Sequence, residues 1–210
     1  EPANPAGYAY DEQVTLTAMP MAGWTFLRWE GDVTGTSNPI SYSAAEDKDV
    51  TAVFEQNQYT LDTAAEGNGA VVVSPSQATY THGTEVTLQA IAVNGWDFDQ
   101  WTGDLDSSDN SVTVTMDGDK SITAQFTPTL YTLNTNIVGE GSIQTYPAGP
   151  FTLGQSVQLY GVPRYGWKFD SWSGDVSGSS DSTQITIGEN SSVTAWFSDS
   201  EAVFLPLTAR

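Results

Sequence analysis

GWDFDQWTGD, at residues 95–104, recurs as GWTFLRWEGD at 23–32 and GWKFDSWSGD at 166–175. The shared pattern is G-W-x-F-x-x-W-x-G-D, spaced 72 and then 71 residues apart. The flanks repeat as well. DEQVTLTAMP, GTEVTLQAIA and GQSVQLYGVP lie upstream; VTAVF (50–54), ITAQF (122–126) and VTAWF (193–197) lie downstream. The openings YTLDTAAEGNGAVVVSP (59–75) and YTLNTNIVGEGSIQTYP (131–147) match each other. Blocks that recur in fixed order at a fixed period define a tandem array.

The period sets the boundaries at 1–58, 59–130 and 131–200, with a ten-residue apolar tail, 201–210, after the third unit. The joints EQNQ (55–58) and TPTL (127–130) leave little linker. Tyr8 aligns with Tyr80 and Phe151, and Val14 with Val86 and Val157. The Y-T-L…G-x-G block therefore has no counterpart in unit one, and about 15 residues of the repeat would lie upstream of Glu1. This predicts a cleaved fragment of a longer protein.

Within unit two, Val86, Leu88 and Ala90 alternate with Thr87, Gln89 and Ile91. Val112, Val114 and Met116, then Ile122, Ala124 and Phe126, alternate in the same way. Period-two patterning rich in Val, Thr and aromatics predicts half-buried strands. Gly67-Asn68-Gly69, Gly139-Glu140-Gly141 and Asp117-Gly118-Asp119-Lys120 read as tight hairpin turns. No stretch carries helical periodicity with caps. The fold class is all-β: three tandem small antiparallel β-rich repeats of about 70 residues and about six strands each, expected as β-grasp-like units.

Trp24, Trp96 and Trp167, with Phe26, Phe98 and Phe169, are expected at equivalent buried sites. The second Trp of each motif, Trp29, Trp101 and Trp172, lies five residues after the first. An odd separation places it on the opposite face of a regular strand. Either a bulge near Gln100 resets the phase, or these three indoles form a second surface. That surface would serve inter-unit contact or ligand binding by sugar stacking.

These blocks resemble the divergent internalin-type B-repeat of bacterial surface and secreted proteins. The resemblance covers about 1–200, three copies with the first incomplete. In unit three, IGENSSV replaces MDGDKSI and Gly161 replaces the Ala of V-T-L-x-A. The resemblance implies an extracellular repeat module, often appended to larger adhesins or hydrolases, with no agreed catalytic site.

Composition narrows the function. The 210 residues are 39% hydrophobic and include 7 Trp, 9 Tyr and 8 Phe, enough to form a core. Acids outnumber bases 26 to 6, for a net charge of −20. That opposes binding to nucleic-acid phosphates or to anionic membranes. It suits a solvated surface that resists edge-to-edge association. Cys is absent and His82 is the single His, so thiolate chemistry and His-rich metal sites are excluded. No run is long enough to cross a membrane as a helix. His82, in the turn Tyr80-Thr81-His82-Gly83, reads as structural or solvated, since Tyr10 and Leu153 stand at its place in the other units. No nucleophile elbow, metalloprotease motif or phosphate loop occurs, and no pair of acids stands out as a glycosidase couple. The reading is non-enzymatic.

Asp104, Asp106 and Asp109 put three carboxylates in one loop, the candidate calcium site. The alternative is a turn in which Asp and Ser bond their own backbone. No other cofactor is expected. Trp196 and Tyr160 stand at outward parity where smaller residues stand in the earlier units. The tail carries Phe204, Leu205 and Leu207, and is expected to pack on them as a terminal cap, in its own chain or a partner.

The combined reading is a structural or adhesive extracellular module acting as stalk, spacer or interaction array. The alternatives are a carbohydrate-binding module using the repeat Trp residues, and a filament subunit whose incomplete unit one accepts a strand from another chain. The expected partners are the rest of a larger polypeptide or like subunits, and a glycan or cell-surface protein.

Overall fold

A computed structural model describes residues 7–200. Among them are strands, turns and loops, with no helix. Repeat one contributes β1 (Glu12–Leu16), β2 (Trp24–Gly31), β3 (Ile40–Ala44) and β4 (Val50–Gln56). Around the first joint and in repeat two come β5 (Gln58–Tyr59), β6 (Leu61–Glu66), β7 (Gly69–Ser74), β8 (Tyr80–Thr81), β9 (Glu85–Ala92), β10 (Trp96–Gly103), β11 (Ser111–Thr115) and β12 (Lys120–Pro128). Repeat three has β13 (Leu133–Val138), β14 (Gly141–Tyr146), β15 (Ser156–Pro163), β16 (Trp167–Gly174), β17 (Ser182–Thr186) and β18 (Ser191–Asp199). The contacts gather into two compact units. The first holds the residues up to Ala92 together with Phe98–Phe126; the second holds Val93–Asp97 and the residues from Thr127.

Each complete repeat is built from two three-stranded sheets. In repeat two they run β10–β12–β6 and β11–β9–β7; in repeat three, β16–β18–β13 and β17–β15–β14. The inward faces meet in one core. In repeat three Val157, Leu159 and Ile185 from one sheet join Trp172, Val193, Ala195 and Phe197 from the other. The alternating burial along β9 and β18 is the period-two pattern of the sequence made visible.

The glycine turns at 67–69 and 139–141 are not hairpins. β6 and β7 lie in different sheets, as do β13 and β14, so each turn carries the chain round a corner of the sandwich. The turn at 117–120 likewise passes from β11 in one sheet to β12 in the other. The glycine that opens the second strand has a packing reason: a Cβ on Gly141 would fall 2.6 Å from the Phe197 ring, and Gly69 meets Phe126 in the same way. The strand before each corner crosses to the far sheet and pairs in parallel with the last strand of the repeat. Leu61 to Glu66 align with Lys120 to Gln125, and Leu133 to Val138 with Ser191 to Trp196.

Repeat one lacks both of these strands among the described residues. Its two sheets are the pairs β1–β3 and β2–β4. Leu16 and Phe54 are only half-buried there, whereas Leu88, Leu159, Phe126 and Phe197 are buried.

The aromatic motif reverses the expectation. Trp29, Trp101 and Trp172 are the buried indoles, at 6%, 0% and 3% exposure. Trp24 is 44% exposed, and Trp96, Trp167 and the motif phenylalanines are half-buried. The register slips between Phe26 and Arg28 in repeat one and between Phe169 and Ser171 in repeat three. One residue is passed over, which returns the second Trp to the inward face beside the Phe. The Phe and Trp rings then sit 5.1, 5.4 and 5.1 Å apart in the three repeats. Trp101→Ala is expected to cost about 3–5 kcal/mol, the range for emptying a buried aromatic site, and Trp96→Ala clearly less. Chemical denaturation of the two variants checks the order.

Candidate functional site

Four features of the repeat offer themselves as sites, and the residues decide among them. The first is the second Trp. Burial leaves Trp29, Trp101 and Trp172 no open ring face, so the expected stacking platform is corrected to a core position. Each indole N–H donates 2.9 Å to a backbone carbonyl eight residues on: Ser37, Asp109 and Ser180. A buried indole needs such a partner, and this one folds the loop after W-x-G-D back over its own strand.

The second is the acidic loop. The Asp104 carboxylate accepts the Ser121 N–H at 2.7 Å, and the Asp104 N–H donates to the Ser121 carbonyl at 2.9 Å. Asp32 and Asp49, then Asp175 and Ser192, form the same reciprocal pair. The preceding Gly103 holds φ +94°, and a Cβ there would press on that same Ser121 carbonyl. The G-D dipeptide is thus a clamp between two strands, a role the sequence analysis did not assign. Its signal was present: an Asp that recurs where Asp106 and Asp109 find no matching pair of acids. Among the described residues no three His, Cys, Asp or Glu side chains are placed to hold a metal ion, so Asp104, Asp106 and Asp109 are not brought together as one group. Asp104→Ala should destabilise by about 1–3 kcal/mol through the stranded Ser121 N–H, as thermal melting would report.

The third is the pair Tyr160 and Trp196. Both are exposed, at 45% and 44%, but Tyr160 lies on β15 and Trp196 on β18. Those strands belong to the two opposed sheets whose inner faces share the core. Their outward faces point away from each other, so the single shared surface expected for the tail does not exist. Phe204, Leu205 and Leu207 lie outside the described residues.

The fourth is a junction seen twice. In unit 1 the turn before Trp24 meets the turn before β9. His82 packs against Gly23 where a side chain on that glycine would otherwise sit. Asn57 bridges them: its N–H donates to the Gly23 carbonyl at 2.8 Å, and its carbonyl accepts the His82 N–H at 3.0 Å. In unit 2 the turn at Val93–Asp97 repeats the arrangement. A Cβ on Gly95 would fall 2.8 Å from Leu153, and the Thr129 N–H donates to the Gly95 carbonyl at 2.9 Å. Gly23 and Gly95 hold φ +78° and +82°, so glycine is required both by backbone and by space. His82 and Leu153 are thus equivalent plugs, and Gly23 and Gly95 their sockets. The structural role expected for His82 is realised as this plug. Its Nδ1 is shut off from solvent without a hydrogen-bond partner. His82→Leu, which copies position 153, should leave the fold intact and raise stability by about 1 kcal/mol. Differential scanning calorimetry would show it.

Repeat one also carries an open groove. A cavity of ≈ 720 Å³ is lined by Leu16, Ala18, Trp29, Tyr42, Ala52 and Phe54 among others. It lies along β1 and β4, the strands whose counterparts pair with the first two long strands of repeats two and three.

The comparisons with known proteins agree with this geometry. A family model described as the divergent InlB B-repeat domain matches residues 3–58, 59–130 and 131–201. No curated protein gives a match.

Proposed function

This chain belongs to the divergent InlB B-repeat family, a source of bacterial surface repeat modules, and we propose that it is a non-catalytic, load-bearing extracellular spacer. Repeats of this family are typically non-catalytic. The observation that carries the reading is the parallel pairing of the first and last long strands of each complete repeat. Tension enters a repeat at the start of one strand and leaves at the end of its parallel neighbour. The two strands are therefore loaded in shear, and their ladder of backbone hydrogen bonds must break together rather than one at a time. Short joints and a plug at each internal junction pass load from repeat to repeat. Force spectroscopy on the chain held at both ends tests this. Two high-force steps of about 25 nm, one per complete repeat, are expected from about 70 residues at 3.3–3.6 Å each. Featureless extension at low force would overturn it.

The open groove of repeat one favours a second reading, assembly by strand donation. The acceptor is made of Leu16, Ala52, Phe54 and the edges of β1 and β4 that no strand pairs among the described residues. A donor would copy what repeats two and three supply to their own grooves. A peptide spanning 131–146, added in excess, should raise the melting temperature of repeat one, while a scrambled peptide should not. No shift with the native peptide counts against this reading.

A further inference from the structure

In repeat three β14, β15 and β17 form one sheet, and its inward side chains Val157, Leu159 and Ile185 are buried in the core. Side chains alternate along each strand, so the residues between them face outward. The register sets these out in rows. Gln144, Tyr160 and Ser182 stand side by side across the three strands, and Tyr146, Gln158 and Gln184 form the next row. Each tyrosine therefore has a glutamine beside it on the neighbouring strand and another two residues away on its own. Tyr146 and Tyr160 are diagonal neighbours, roughly 7–8 Å apart at the backbone. They are 75% and 45% exposed. The Gln184 amide donates to the Ser156 hydroxyl, which holds that side chain along the face.

The same sheet of repeat two, β7, β9 and β11, has no aromatic residue on any strand. Ser74 and Gln89 stand at the places of Tyr146 and Tyr160, and Val72 and Thr87 at those of Gln144 and Gln158. Both sheets have the same core beneath them, so packing does not call for the two rings. Both tyrosines lie on strands of a complete repeat.

Charge narrows what this face can hold. β14, β15 and β17 contain no charged residue, in a chain with 26 acids and 6 bases. Glu140, Arg164 and Asp181 stand just beyond one end of the sheet, and the first two pair with each other at 2.9 Å. No ion pair can therefore form over the two rows, and a net charge of −20 repels a polyanion. A protein partner would need an apolar core to desolvate. Among the described residues Val162 is the one exposed large aliphatic side chain on this face. What the face does supply is ring surface held at low entropic cost and amides that both donate and accept. A sugar ring is the complement, with C–H groups on its faces and hydroxyls that donate and accept around its rim.

We propose that the outward face of β14, β15 and β17 binds an uncharged polysaccharide chain. Tyr146 and Tyr160 stack on sugar rings of the same chain, and Gln144, Gln158 and Gln184 meet their hydroxyls. The two rings lie on a diagonal, so the chain crosses the strands obliquely. The face is open and has no walls, so a single repeat binds weakly and excludes little water. The inference concerns a face that the spacer and strand-donation readings do not use, and stands independently of both.

Isothermal titration of the full chain with cellohexaose, laminarihexaose and chitohexaose, all uncharged, reads the binding directly. One site per chain is expected for at least one of them, with a dissociation constant of about 0.1–1 mM. Hexagalacturonate, which is anionic, should bind at least tenfold more weakly. Tyr146→Ser and Tyr160→Gln copy Ser74 and Gln89 of repeat two, and each should weaken binding about tenfold or more. Trp196→Gln, which copies Gln125 on the opposed sheet, should leave it unchanged. Unchanged melting curves establish that the variants are folded. Three results overturn the proposal: none of the three uncharged sugars binds at concentrations about tenfold above that range, hexagalacturonate binds as well as they do, or binding survives both tyrosine substitutions. Binding that instead disappears with Trp196→Gln would place the site on the other sheet, and also overturns it.

Discussion

A tryptophan N–H that must be satisfied inside a core organises each repeat. The second indole of G-W-x-F-x-x-W-x-G-D sits at the centre of the sandwich and donates to a carbonyl eight residues later. An unpaired buried N–H would cost about 1–3 kcal/mol, so the polar loop is compelled to return over the strand. The indole lies inward only because the strand slips by one residue after the Phe. The G-D clamp then fixes the far end of that strand to the one beside it. Slip, indole and clamp are consecutive in sequence and depend on one another.

Much of this was legible in the residues. The period, the all-β character and the alternation of β9, β12 and β18 follow from patterning that needs no tertiary information. The parity of Trp101 was not legible. An odd spacing is ambiguous between an outward side chain and a slipped strand, and the sequence around Asp99 and Gln100 carries no glycine to mark a bulge. The glycine corners were misread for a related reason. A positive-φ turn such as Gly67 says that the chain reverses, not whether the next strand rejoins the same sheet. Gly69 held the missing clue, since a glycine at the start of a strand marks a close approach, here by Phe126.

The junction escaped the sequence for another reason. Tyr10, His82 and Leu153 share no chemistry, so a comparison by residue type sees noise at that position. What they share is a place, the tip of a turn whose next residue holds positive φ; His82 and Leu153 there face a glycine one repeat earlier. The glycine is constant and the plug varies, because a flat backbone surface accepts many side chains while a Cβ on the socket would exclude all of them.

The parallel closure of each repeat also sets the order in which the protein can be made. Leu61 pairs with Lys120 and Leu133 with Ser191, so the opening strand of a repeat waits for nearly sixty residues before its partner exists. During synthesis that strand emerges early and stays unpaired until the repeat is almost complete. Long-range parallel pairing of this kind makes folding slow relative to local hairpins. Each complete repeat therefore closes only when its last strand arrives. Acids along β6 and its flanks, Asp62 and Glu66, keep the waiting segment soluble meanwhile. An array made this way matures one repeat at a time, from its first residue to its last.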